Sequence, residues 1–216
     1  MPVARAALSA DAVVDVALHL VDEDGPAALT LAAVASRAGV ATPSLYKHVR
    51  NLAELRALMS VRILDDLAER IRGAVLGRSA DEAIRALMMA WRDYVLGHPH
   101  RYSALDQAPE PMVAQAGDRV VDVVLAALRA YGLEDSEAIH AARCVRAAVH
   151  GFAVLEAENA FQRPEKLDET YDLLIHLVAG GLHTRQRNAL PAPRPATPEP
   201  PAAASRRAPP HEVRAK

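Results

Sequence analysis

Residues 42 to 50 read Thr-Pro-Ser-Leu-Tyr-Lys-His-Val-Arg, and their types suit contact with nucleic acid. The hydroxyls of Thr42 and Ser44 can bond base edges or phosphates, and carbons of Thr42 or Pro43 can touch a thymine methyl. Lys47, His48 and Arg50 can approach phosphates flanking a groove. Catalytic patterns are missing: there is no His-Glu-x-x-His, no phosphate-cradling glycine loop and no glycine-flanked serine elbow. His98, His100, His140, His150, His176 and His183 are scattered singly along expected helices, which favours hydrogen-bonded or surface roles over a metal site. Cys144 lies on an apolar helix with no base beside it in sequence. A reactive thiol needs an exposed, electropositive setting, so a buried structural thiol is expected. No catalytic residue, metal or cofactor is assigned.

The elements that must carry residues 42 to 50 can be read from apolar spacing. A first helix is expected after Ser9 and runs to about Glu23, with Val13, Ala17, Leu20 and Val21 on one face. Asp24-Gly25-Pro26 stops it. Thr30 caps a short second helix with Leu31, Val34, Ala35 and Ala38 inward, and Gly39 ends it as a left-handed residue. Thr42 caps a third helix, Pro43 takes its first position, and Leu45 and Val49 form its apolar side. Ala35 sits where the two short helices cross, and Val40 and Leu45 fill the space beneath. Asn51 caps a long fourth helix with Leu55, Leu58 or Met59, Ile63, Leu67 and Ile71 inward. Two short helices joined by a glycine-containing turn are the layout of a DNA-binding helix-turn-helix.

Further helices are expected from about Asp81 to Leu96, over His100 to Asp106, and from Pro109 or Pro111 to Tyr131. Another runs from Asp135 or Ser136 to about Phe161, striped by Ile139, Ala142, Val145, Val149 and Phe152, and a last one from Lys166 to Arg187. The chain is rich in alanine, has only two phenylalanines and shows no alternating strand pattern. The expected fold is all-α: an N-terminal three-helix helix-turn-helix domain over residues 1–51, then a larger helical domain over 52–188. After residue 188 come eight of the 15 prolines and a net charge of +3, the composition of a disordered tail over 189–216.

The 216 residues are 51% hydrophobic and 24% charged, with a formal net charge of −2. That balance excludes a protein that coats nucleic acid through bulk positive charge. Locally the charge is uneven. Residues 37 to 56 carry Arg37, Lys47, Arg50 and Arg56 against Glu54 alone, whereas residues 11 to 24 hold five acidic groups and no Lys or Arg. One cysteine permits no intramolecular disulfide. No apolar run serves as a signal peptide, and none reaches the ~18 residues of a membrane span. A soluble, cytoplasmic protein with no membrane partner is expected.

Thr30-Leu31 through Val34-Ala35, Arg37-Ala38-Gly39-Val40 and Leu45-Tyr46-Lys47-His48-Val49 closely resemble the TetR family of transcriptional regulators. The resemblance implies that Thr42, Pro43 and Ser44 face bases, and that Thr30, Tyr46, Lys47 and His48 contact phosphates. Where many members of that family place a phosphate-gripping lysine, at the start of the fourth helix, this chain has Leu52; Arg50 or Arg56 would have to substitute. Ala90-Trp91-Arg92-Asp93-Tyr94, Gly97-His98-Pro99-His100-Arg101-Tyr102 and Val149-His150-Gly151-Phe152 resemble the WHG-type C-terminal ligand and dimerisation domain of one TetR branch. It implies that the last two long helices pair with their copies in a homodimer. Ala142, Val145 and Val149, then Leu174, Leu177, Val178 and Gly181, offer the surfaces for that packing.

Within the larger domain, Leu87, Met88, Trp91 and Tyr94, then Tyr102, Met112, Val149, Phe152 and Phe161, are large apolar side chains at helical spacing near His150 and Glu156. Most of them suit a core, but apolar walls with few polar anchors also describe a ligand pocket. Ligand contacts are assigned to Met88, Trp91, Tyr94, Tyr102, Met112, Val149, His150 and Phe152. The expected function is a homodimeric, sequence-specific transcriptional regulator, a repressor released from a palindromic double-stranded DNA operator by a small apolar or amphipathic effector. Its rivals are a helical metal-dependent enzyme using the histidines and an interaction module that never touches DNA.

Overall fold

A computed structural model describes residues 8–105 and 110–188, and among these all regular structure is helical. The expected tail at 189–216 lies outside the described residues, as do Asp106 and Pro109. Helix α1, Ala10–Asp24, starts where the Ser9 hydroxyl accepts the Ala12 N–H at 3.1 Å. A single 3-10 turn, Pro26–Ala28, leads to α2, Leu31–Arg37, capped by Thr30 Oγ1 accepting the Ala33 N–H at 3.1 Å. Gly39 then turns the chain at φ 67°, a left-handed conformation that a Cβ would strain. Helix α3 is Thr42–Leu45 with Ala41 as its cap residue. Thr42 therefore begins the helix rather than capping it, and Pro43 follows at the second position.

Helix α4, Leu52–Val75, is capped by Asn51, whose Oδ1 accepts the Glu54 N–H at 2.8 Å. Then come α5 (Ala80–Gly97), α6 (Pro99–Ser103), α7 (Pro111–Leu128), α8 (Asp135–Ala157) and α9 (Leu167–Asn188). Helix α6 starts on Pro99, whose fixed φ and missing N–H suit the first turn. Helix α8 stops four residues before the expected Phe161. Asn159 takes a left-handed φ of 54°, and the Ala160 N–H returns to the Leu155 carbonyl at 2.8 Å, a C-terminal stop that asparagine tolerates.

Helices α1 to α3 form a small head, and α4 runs from it into the larger domain, where it packs on α5 and α7. Helix α5 in turn packs on α8 and α9, and one continuous core extends from Val13 to Leu182. The acidic run of α1 is matched by arginines of other elements. Asp11 and Asp15 bond Arg62 of α4 at 3.1 and 2.9 Å, Asp22 bonds Arg101 of α6, and Glu23 and Asp24 pair with Arg37 of α2. The Arg62 and Arg101 pairs bind the head to α4 and α6, and the acidic run seen in the sequence is matched by arginines, although all of its carboxylates but that of Asp22 are more than half exposed.

Two faces of α8 differ from expectation. Ile139 and Cys144 are exposed, while Ala142, Val145 and Val149 are buried in the same protomer. Cys144 is therefore not a core thiol. Of the expected stripe, Ala142, Val145, Val149 and Phe152 are buried and Ile139 alone is not; Ala138, one residue before it, takes the buried place.

Candidate functional site

The helix-turn-helix is closed by a dry interior. Val34 and Leu45 are wholly buried, Ala35 and Val49 almost so, and the Val40 N–H returns to the Ala35 carbonyl at 3.0 Å. This packing leaves one side of α3 and its flanks to solvent. Pro43, Tyr46, Lys47 and Arg50 are exposed, Thr42, Ser44 and His48 half-buried, and the large apolar ring of Tyr46 is 56% exposed. Thr30 is exposed at the start of α2, where its hydroxyl accepts the Ala33 N–H and keeps its own proton to donate. All eight residues assigned to DNA thus lie on or beside α3, at the start of α2 and at the approach to α4.

The cations are not equally free. Arg37 is held by Glu23 and Asp24. Arg50 donates Nε–H to Glu54 Oε1 at 3.0 Å, although its side chain is 81% exposed. The backbone N–H and side chain of Arg50 hold the Glu54 carboxyl below its usual pKa. Lys47 and Arg56 are exposed and form no ion pair among the described residues.

The larger domain forms a partly open cavity of about 980 Å³ between α4, α5, α6, α7 and α8. Its walls include Leu64 and Leu67 of α4, Trp91 and Val95 of α5, and Val120 and Val124 of α7. Three residues expected at a ligand site line it: Trp91, Tyr102 and His150. They form a chain in which Trp91 Nε1–H donates to Tyr102 Oη at 3.2 Å, and that hydroxyl meets His150 Nδ1 at 3.0 Å.

The other five do not line the cavity. Met88, Tyr94 and Val149 are buried in the core, and Tyr94 donates to the Ile63 carbonyl at 3.3 Å. Phe152 stacks with Phe161 and Tyr171, ring centroids 4.9 and 4.8 Å away. Met112 is 40% exposed. Glu156 is likewise no anchor of the cavity. It receives Arg92 Nε–H at 2.6 Å, while Arg92 reaches Asp168 of α9 at 2.8 Å and lies 4.8 Å above the Tyr171 ring. These bonds hold the Arg92 guanidinium firmly charged, so this part of the expected motif pins α5 to α8 and α9.

Sequence reading missed Arg143, Arg146 and Asp118, all of which border the cavity. A signal existed: residues 143, 146 and 150 recur at i, i+3 and i+7, which places them on one helix face. It also missed Arg101. From α6 this residue grips Asp22 of α1, with Nε–H to Oδ1 at 3.0 Å, and approaches Asp66 of α4 at 3.8 Å. The bond to Asp22 raises the Arg101 pKa further above its usual value. His100 adds a contact from Nδ1 to the Asp22 carbonyl at 3.2 Å. Pro99, Tyr102, Ser103 and Leu105 of the same stretch line the cavity.

On the opposite side of α8 and α9 an apolar face has no partner among the described residues. Leu155, Leu173 and Leu177 are 45%, 58% and 65% exposed. Among the described residues no group of three His, Cys, Asp or Glu side chains is placed to hold a metal. No described helix is long and apolar enough to cross a membrane.

Comparison with known proteins identifies both parts of the chain. Residues 13–57 match bacterial regulatory proteins of the tetR family, and residues 84–178 match the tetracyclin repressor-like C-terminal domain. The chain is 34% identical over 183 residues to an uncharacterized HTH-type transcriptional regulator, Rv0681, of Mycobacterium tuberculosis, covering 82% of this chain and 84% of that one. It is 32% identical over 188 residues to another, YobS of Bacillus subtilis, covering 86% and 98%. Among solved structures, a TetR variant of Acinetobacter baumannii AYE in complex with minocycline superposes with a TM-score of 0.64 at 21% identity, covering 83% of this chain and 98% of that one.

Proposed function

The chain belongs to the tetR family of bacterial regulatory proteins, and from that premise we propose a homodimeric repressor released from a palindromic operator by a small amphipathic effector. It is a helix-turn-helix, DNA-binding transcriptional regulator, and the family is one of regulators rather than enzymes. The reading divides it into a DNA-binding head, residues 1–51, and a ligand-binding and dimerisation domain, residues 52–188, acting in the cytoplasm beside the chromosome. Thr42, Pro43 and Ser44 read bases. Thr30, Tyr46, Lys47, His48 and Arg50 hold phosphates.

The exposed face of Leu155, Leu173 and Leu177 supports pairing of α8 and α9 with a second copy, as apolar surface without a partner calls for cover. Because Ala142, Val145 and Val149 are spent on the protomer's own core, the dimer seam uses the adjoining faces of α8 and α9. Two copies then place their reading helices in successive major grooves, ~34 Å apart along the duplex. The minocycline complex of the Acinetobacter relative supports an effector site within this kind of domain, and the cavity supplies its place here. Trp91, Tyr102 and His150 are the expected residues that carry over to that site.

The observation that carries the reading is the double attachment of α6. One side borders the cavity, and the other grips α1 through Arg101 and Asp22. A ligand that fits only one position of α6 shifts the head with it, whereas equal affinity for both positions would shift nothing. An allosteric coupling of ~1–3 kcal/mol corresponds to roughly 5–150-fold in DNA affinity.

Selection of genomic fragments on the full protein at two salt concentrations tests this. Enrichment of a palindrome that survives moderate salt is expected, whereas binding without a motif that vanishes with salt would reduce the head to phosphate attraction. On the selected site, Arg101→Ala is expected to keep DNA binding within a few-fold but to blunt effector release at least ~fivefold. Unaltered release in that variant would remove α6 from the coupling.

A further inference from the structure

We propose that the cavity takes an amphiphile with an anionic head, a carboxylate, sulfonate or phosphate on a hydrocarbon or aromatic body, and that Arg143, Arg146 and His150 receive the head. The inference rests on the cavity being the effector site and adds the charge and polarity of what enters it.

The three side chains lie on one face of α8, and the rise of a helix spreads them over about 10 Å. All three border the cavity. Neither arginine side chain forms an ion pair or hydrogen bond with a described residue, whereas Arg92, Arg101 and Arg119 of the neighbouring helices are all paired with carboxylates. Two unpaired guanidiniums at an apolar wall invite an acceptor that carries charge.

His150 stands beside the two arginines. Trp91 Nε1–H can only donate, so the Tyr102 oxygen accepts from it, and the Tyr102 hydroxyl meets His150 Nδ1 at 3.0 Å. Either partner of that last bond can supply its hydrogen; with the tyrosine as donor, Nε2 carries the imidazole hydrogen and can give it to an anion. The two guanidiniums present donors only, which discriminates for an anion and against an ammonium.

The rest of the cavity suits the body of the ligand. Leu64, Leu67, Val120 and Val124 supply aliphatic wall, and about 980 Å³ lies at the upper end of drug-sized pockets. Two carboxylates also border the space, Asp118 on α7 and Glu158 just beyond α8. Glu158 is two turns past His150 and so lies toward the far end. Asp118 faces the cavity from another wall and pairs with neither arginine. It repels an anion mildly, which gives the test an independent second arm.

Trp91 is the sole tryptophan of the chain and lines the cavity, so it reports on occupancy. Two fluorescent probes share an anilinonaphthalene body and differ in charge: 1-anilinonaphthalene-8-sulfonate and neutral N-phenyl-1-naphthylamine. Both are titrated into the full-length protein with energy transfer from Trp91 as readout. In Arg143→Gln/Arg146→Gln the sulfonate probe is expected to bind about tenfold more weakly, with the neutral probe unchanged within twofold. Arg143→Lys/Arg146→Lys should recover part of the loss, and Asp118→Asn should tighten the sulfonate probe about twofold. Dodecanoate should displace it, while dodecanol and inorganic phosphate should not do so at the same concentration.

Both arginines are exposed and unpaired among the described residues, so the fold should survive, as an unchanged melting curve would record. Equal loss of both probes, or no loss of either, overturns the anionic head while leaving the effector site intact. If neither probe quenches Trp91, the effector reading of the cavity falls with it.

Discussion

In the head, α2 and α3 bury Val34, Ala35 and Leu45 almost completely, and the residues assigned to function point outward. In the larger domain, four long helices and the short α6 surround a cavity of about 980 Å³, and of the residues assigned to ligand contact, Trp91, Tyr102 and His150 line it. The head fixes a shape so that its surface can be matched to another rigid object, the duplex. The larger domain leaves room and relies on a few polar ties to hold the walls around it. Rigid packing suits positioning to within a fraction of an ångström. A cavity with movable walls suits a site whose occupant must change the positions of helices.

The contrast breaks first if the ties are unimportant. Arg92 is 5% exposed and joins α5 to Glu156 of α8 and Asp168 of α9. Arg92→Ala leaves the Glu156 carboxylate, 13% exposed, without its partner and should destabilise the fold by about 3–5 kcal/mol, read by urea unfolding. Arg92→Met with Glu156→Leu should recover most of that, since an apolar pair of similar volume leaves no lone charge. A melting curve unchanged in Arg92→Ala would mean that apolar packing alone holds the larger domain, as it does the head.

The next largest effect compares two leucines directly. Leu45 and Leu67 are 0% and 1% exposed, but Leu67 borders the cavity. Leu45→Ala opens a new void in a small core and should cost about 3–4 kcal/mol, within the usual range for such truncations. Leu67→Ala enlarges a void that already exists, where fewer contacts are lost, and should cost about 2 kcal/mol or less. Equal losses would show that the cavity collapses in solution when it is empty.

The two regions are also unequally legible in the sequence. A helix with solvent on one side announces its buried face through polarity, so residue type and spacing alone separate Val34, Ala35 and Leu45 from Thr42, Ser44 and Lys47. Around a cavity the inner surface is as apolar as the core. Trp91 cannot be told from Met88, nor Val154 from Val149, by residue type. The exposure of Ile139 carries little signal, because the residue buried in its place is the small Ala138. The stop at Asn159 is masked by the apolar pattern that continues to Phe161. The ties between elements are least visible of all, since Arg101 and Asp22 are 79 residues apart and sequence spacing says nothing about such pairs.

On the head, a smaller effect tests whether the outward face works as assigned. Lys47 is exposed and unpaired among the described residues. Lys47→Ala should weaken operator binding by about 1 kcal/mol and reduce the slope of log affinity against log salt by about 0.9 per subunit. Melting temperature and dimer should be unchanged, because nothing in the packed interior touches the ammonium. A fall in affinity with no change in slope would place Lys47 on a base rather than on a phosphate.

The smallest effect concerns Leu52, at the first position of α4, where the resemblance to the family implies a lysine. Arg50 is shared with Glu54, whereas Arg56, one turn further along α4, is exposed and forms no ion pair among the described residues. If Arg56 has taken over the phosphate contact, Arg56→Ala should lose a few-fold in operator affinity, and Leu52→Lys should add little. If the contact has simply been lost, Arg56→Ala should be silent and Leu52→Lys should gain a few-fold at low salt. That gain is limited because a cation at a helix N-terminus opposes the helix dipole by about 0.3–1 kcal/mol, comparable with one exposed phosphate contact. Salt-dependent binding of the two variants therefore decides whether the outward face of the head was rebuilt around Arg56 or runs with one backbone contact fewer.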